Sequence, residues 1–236
     1  MPPYLLMMKK EGLGTSQLTN VTGTFSPPST THFIGLDDTI GTLNVVIANV
    51  YNASGGNGSI NYPISEWYQE WGSTVQLNVG PGEYIGTYTY SRVFQPSDVS
   101  SPTILITLGN ASPMFVYVLS FANHGVTHTS GKPDTNQILV STDHSISNVS
   151  SIDVPAITST VDSEIVRFVW KYANTSTNTD YPPVNHISES SNVNAGQGGS
   201  YFVSRLSNTT SGIKPLETFT SDTATKYIST SIAVPR

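Results

Sequence analysis

The chain has 236 residues, a formal charge of −6 from ten Lys and Arg against sixteen Asp and Glu, and no cysteine. Disulfides and thiolate-held zinc or iron–sulfur centres are therefore excluded, and so few, scattered basic residues form no cationic stripe for a nucleic-acid backbone. Charged residues are 11% of the chain, against roughly 25% in ordinary soluble domains.

Ser, Thr and Asn take the polar positions instead, which suits strands and turns better than long helices. No run of about 18 apolar residues is present, so no membrane insertion by a helix is expected.

Residues 1–30 lack steady periodicity and carry Gly12, Gly14, Pro27 and Pro28. They read either as a disordered tail or as an extended N-terminal arm with one strand near Leu18 to Phe25. As an arm, its apolar stretch Tyr4, Leu5, Leu6, Met7 and Met8 is the assembly contact, because extended termini join subunits by adding a strand to a neighbour's sheet. Lys9 and Lys10 follow that stretch instead of preceding it, the reverse of a secretory signal. The expectation is a protein made and assembled in a cytoplasm.

From residue 31 to 236 a single β-sandwich domain is predicted. Gly41 to Tyr51, led by Asp37-Asp38, is a near-continuous β-branched and apolar run. Such a run marks a central strand covered on both faces. Asn52 to Gly58 is a loop. Pro63 to Trp71 follows, then strands over Glu83 to Val93, Thr103 to Leu108 and Met114 to Phe121, with Gln95-Pro96-Ser97-Asp98 as a turn. Asn123 to Asn136 is a loop, Ile138 to Ser141 a short strand, and Ser145 to Ser151 a polar link.

The pattern then restarts. Ser159 to Tyr172 stands where Asp38 to Tyr51 stood, Ser200 to Leu206 repeats the Ser-Arg-apolar ending of Tyr88 to Val93, Leu216 to Thr220 matches Thr103 to Leu108, and Tyr227 to Val234 matches Met114 to Phe121. With the loop at Asn174 to Asp180 leading through Tyr181-Pro182-Pro183, five elements recur in one order, which implies duplication. The predicted fold is all-β: an antiparallel, jelly-roll-like sandwich of two pseudo-repeated halves, about 35–122 and about 155–236. Arg92 and Arg205 are expected at similar strand positions with their charged ends outside the core.

This order resembles a family of jelly-roll-like β-sandwich domains of phage and prophage tail and virion proteins and of some bacterial surface proteins. The resemblance rests on Asp38 to Val50, Pro63 with Trp67, Tyr84 to Val93, Thr103 to Leu108 and Met114 to Phe121, with Val161-Asp162-Ser163-Glu164 opening the second half and Ser229 to Pro235 closing it. It spans residues 35–236. Where the family has glycine before its loop tryptophan, this chain has Glu66 before Trp67 and adds Trp71. The resemblance implies a virion-located structural or adhesive role, homo-oligomeric with other virion subunits as partners, and no catalytic residues.

Tyr62, Trp67, Tyr68 and Trp71 are the candidate contact site. Aromatic faces stack on sugar rings and partner side chains at low entropy cost, so a host surface glycan is a second possible partner. The alternative use of the same aromatics, and the commoner one for large aromatic side chains, is to plug one end of the core; a helix over Ile64 to Trp71 would put Trp67 and Trp71 on one face. Glu66 and Glu70 read as a solvated face. Asp37, Asp38 and Asp143 lack calcium-loop spacing, and His124-Gly125-Val126-Thr127-His128 lacks the glutamate of a zinc-protease helix. No Gly-x-Ser-x-Gly elbow occurs, and Gly196-Gln197-Gly198-Gly199 precedes a strand, unsuited to phosphate. No catalytic residue, metal or cofactor is expected.

Overall fold

β-branched and hydroxyl side chains favour extended backbone, and strands account for nearly all of the regular structure. The computed structural model describes residues 17–52, 60–61, 67–69, 75–80, 83–100, 102–134, 136–172, 186–194, 199–206 and 210–236. The first half contains β1 (Gln17–Gly35), β2 (Leu43–Asn52), β3 (Ile60–Asn61), β4 (Tyr68–Gln69), β5 (Val75–Gly80), β6 (Glu83–Val93) and β7 (Thr103–Ala122). A small hairpin, β8 (His128–Thr129) with β9 (Lys132–Pro133), lies in the connection. The second half contains β10 (Leu139–Val154), β11 (Ile157–Ser159), β12 (Ser163–Tyr172), β13 (His186–Asn194), β14 (Gly199–Leu206), β15 (Gly212–Lys214) and β16 (Glu217–Pro235). Among the described residues the only helical element is the 3-10 turn Pro96–Asp98.

Each half of the chain builds its own antiparallel sheet. One runs β1-β7-β2-β6-β4, with β3 on β7 and β5 on β6; the other runs β10-β16-β12-β14-β13. Taken in chain order, the principal strands occupy matching places in both sheets. A jelly roll proper interleaves the two halves of a chain in both of its sheets; here each sheet is local in sequence.

The long edge ribbons bend at matching points. Between Ser29↔Ser112 and Thr31↔Thr107, β1 advances two residues while β7 advances five. Between Val149↔Thr225 and Ser151↔Thr220, β10 advances two and β16 five. Extra residues on one strand of a pair bend it, and each ribbon folds back over the outer face of its own sheet.

That folding explains why β2 and β12 are buried on both sides. Alternate residues of a strand point to opposite faces. Leu43, Val45 and Ile47 of β2 meet Val166, Phe168 and Trp170 of β12 in the central core between the sheets, where the Tyr117 and Phe168 rings pack edge to face at 5.2 Å. Val46, Ala48 and Val50 face the other way and are covered by Ile34, Ile104, Ile106 and Leu108 of the folded ribbon. Ile152, Val154 and Phe219 cover Val169 and Tyr227 in the second sheet.

Several expectations are revised. Residues 17–30 lie in β1 and pair with β7, so they belong to the sheet and not to an arm in front of it; Tyr4, Leu5, Leu6, Met7 and Met8 lie outside the described residues. The polar stretch Ser145 to Ser151 is part of β10, not a link. Arg92 and Arg205 end corresponding strands but on opposite faces: Arg92 pairs with outward-facing Asn44, Arg205 with core-facing Val166. The Arg92 head, moreover, is buried.

Candidate functional site

Of the four aromatics predicted to form a contact site, two fall in described positions. Trp67 is 4% exposed and packs in the outer core with Val46, Tyr88 and Tyr90; its ring presents no face to solvent. Tyr68 lies in β4, opposite Ser91 of β6, so the backbone at Tyr68–Gln69 is extended and not helical. Tyr62 and Trp71, like Glu66 and Glu70, lie outside the described residues.

Among the described residues an exposed aromatic side chain lies elsewhere. On the outer limb of the first ribbon Phe33 is 69% exposed and Leu105 36%, and the two are direct cross-strand partners. Gly35 pairs with Thr103 and Thr31 with Thr107 on either side of them. The alternation that buries His32 and Ile34 against the sheet is what turns Phe33 outward. The corresponding strands of the second half pair Ile152 with Phe219 and Asp153 with Thr218, and there the large apolar side chains face inward.

The Arg92 guanidinium donates twice to Asp98, Nε to Oδ2 at 2.9 Å and Nη2 to Oδ1 at 2.7 Å. The Gln95 N–H also donates to Asp98 Oδ2. Burial alone would raise the Asp98 carboxyl, but these donors outweigh it and hold the group below its usual range. The Gly131 carbonyl accepts from Val93 N–H at 2.7 Å, docking the β8–β9 hairpin onto β6. Gly131 has φ +85°, and a Cβ there would lie 2.6 Å from the Val93 carbonyl oxygen, so no other residue fits without backbone movement. Across the core, buried Glu164 receives Arg236 at 3.0 Å and Arg205 at 3.5 Å.

The outer face of the second sheet buries two cations. Arg167 is fully buried, donates to the Pro215 carbonyl at 2.8 Å and lies 3.3 Å from Glu217; burial lowers its pKa, with Glu217 opposing. Lys171 Nζ donates to Ser221 Oγ at 3.1 Å. Both act as struts between sheet and ribbon. Tyr227 donates to Asp143, and the Asp37 carboxylate caps Thr39 N–H, so these two acids have structural partners. His128 Nδ1 accepts from Gly131 N–H. Among the described residues no group of three His, Asp or Glu could hold a metal ion.

Sequence reasoning missed Phe33, Asp98 and Asn44. Asn44 accepts from Asp37 N–H and Ser120 and donates to the Asp37 carbonyl, fixing the turn before β2. An asparagine at the start of the β-branched run of β2 was the available signal for it. Comparison with protein-family models, with curated proteins and with solved structures finds no match.

Proposed function

We propose that this protein is a non-enzymatic virion structural component, of tail, fibre, spike or capsid-decoration type, and that its two like sheets derive from one duplicated unit. The observation that carries the reading is the pair of edge strands. β1 and β10 are 19 and 16 residues long, and among the described residues each pairs on one side only. Neither contains Lys or Arg, and Asp143 and Asp153 are their only acidic residues.

Proteins that stay monomeric blunt such edges with charge, above all lysine, because a long uncharged edge is a template for another chain's backbone. An assembling subunit uses it. Few charges also mean little desolvation cost when copies meet. The pattern-level resemblance to phage virion domains points the same way.

The test places lysine at exposed edge positions, Thr22→Lys with Ser147→Lys. Stability should change by no more than about 0.5 kcal/mol while self-association and incorporation into particles fall. Unchanged assembly in this variant would exclude the edges as the assembly surface.

A second reading, glycan binding, is favoured by the Phe33–Leu105 pair. The face carries an open aromatic ring and is flanked by threonines. Its five-residue span is only about 14 Å long, too small for a stable protein interface of about 800 Å² per partner, and suited to a sugar ring. A glycan array should show binding that Phe33→Ala abolishes; binding that survives Phe33→Ala but not Trp71→Ala would move the site to the stretch around Trp71.

A further inference from the structure

The connection between the two halves holds both sheets at one end. Asn123, with φ +52°, turns the chain out of β7. His124 Nε2 then lies 3.0 Å from the Gly41 carbonyl ahead of β2, and Val126 N–H lies 3.2 Å from His124 Nδ1. Gly125 N–H donates to the Pro235 carbonyl at the end of β16, and Arg236 N–H donates to the Asp162 carbonyl ahead of β12. A Cβ on residue 125 would lie 2.4 Å from the Arg236 carbonyl oxygen, so glycine is required for this approach. Val126 and Ile138 of the same connection reach into the central core.

These bonds define one state of the ring. Val126 N–H can donate only to an unprotonated Nδ1, so Nε2 carries the hydrogen donated to Gly41. A proton on Nδ1 sets two N–H groups against each other and breaks that contact. We propose that His124 is an acid-loosened clasp: the neutral ring accepts the Val126 N–H while its Nε2–H holds the Gly41 carbonyl, and protonation, which leaves the Gly41 bond in place, expels the Val126 N–H and loosens residues 125–126 where Gly125 ties them to the second sheet.

Among the described residues most carboxylates near this end already have a donor. On the same connection are His128, Lys132 and Asp134, of which Asp134 accepts from Thr127. From the turn before β2 come Asp37, whose carboxylate caps Thr39, and exposed Asp38. At the end of β16, Arg236 is bound to Glu164, and at the end of β6, Arg92 is bound to Asp98. Burial, with His128 nearby, lowers the His124 pKa below 6.5, against the opposing bond to Gly41. The neutral form is therefore the folded one, and the clasp weakens as pH falls below about 6.5 toward the depressed value.

Amide hydrogen exchange on the full chain at pH 7.5 and 5.0, corrected for intrinsic rates, tests this. Protection at Gly125 and Val126 should fall at least tenfold at pH 5.0 while Ile47 and Phe168 in the central strands keep theirs. In His124→Asn, whose side chain still accepts from the N–H two residues on but does not titrate in this range, the acid loss should disappear. His32→Gln should leave it intact. Equal protection at both pH values in the wild type, an equal loss in His124→Asn, or a parallel loss at Ile47 and Phe168 would each overturn the proposal.

Discussion

Arg92 shows what a single residue can and cannot disclose in sequence. The alternation of Tyr88, Tyr90 and Arg92 is legible, and it places all three on one face. That the face is covered is not, because the cover comes from a ribbon folding back from more than a dozen residues away, and the Asp98 partner sits in a turn defined only by Gln95, Pro96 and Ser97. Arg92→Met leaves Asp98 with a desolvated carboxylate and is expected to cost about 3 kcal/mol in chemical denaturation. Arg92→Lys should recover little, since a lysine cannot donate in the two-pronged geometry. The Asp98 carboxyl is depressed below 3.8, so its contribution is present above that pH and lost as pH falls through the depressed value. In Arg92→Met this acid-side loss should shrink. Phe33 and Trp67 make the complementary point: hydrophobic identity alone does not tell a core ring from an exposed one, and only the register of β1 and the position of Trp67 under Tyr88 and Tyr90 decide it.

At the scale of elements, the strands that sequence identifies are those with two buried faces. β2 and β12 announce themselves because every position from Leu43 to Val50 and from Ser163 to Lys171 is buried, and such strands lose the polar alternation. The edges hide for the opposite reason. In β10 the Ser- and Asn-rich stretch Ser145 to Ser151 reads as a link, since the backbone pairing that makes it a strand leaves no mark on side-chain polarity. The Pro27-Pro28 pair, which suggests an arm, sits in an edge strand at its bend, where a missing N–H breaks little. The two-faced burial of β12 is testable. Phe168→Ala opens a void in the shared central core and should cost about 3–5 kcal/mol. Val169→Ala, facing the smaller outer core of its own sheet, should cost on the order of 2 kcal/mol. Equal costs would mean that the two layers are not distinct.

The whole molecule is two similarly wound sheets, each wrapped by its own ribbon and joined face to face. The order of elements is readable from the recurring apolar runs; the stacking, with β1 against β13 and β10 against β5, is not, because it depends on contacts between strands far apart in the chain. Buried titratable groups make stability depend on pH at both extremes. Burial, aided by the Asp143 and Asp153 carboxylates, raises the Tyr227 hydroxyl to about 12. Its contribution is complete below pH 10 and lost as pH rises from 10 toward 12. Thermal melts should show that alkaline loss in the wild type and a smaller one in Tyr227→Phe. The assembly reading belongs to the whole molecule as well, because long edges without Lys or Arg matter only if copies meet across them. Native mass spectrometry of the full chain across micromolar concentrations decides it: a homo-oligomer that dissociates in the double-lysine edge variant is expected, and a monomer at every concentration that joins no particle would rule this assembly out.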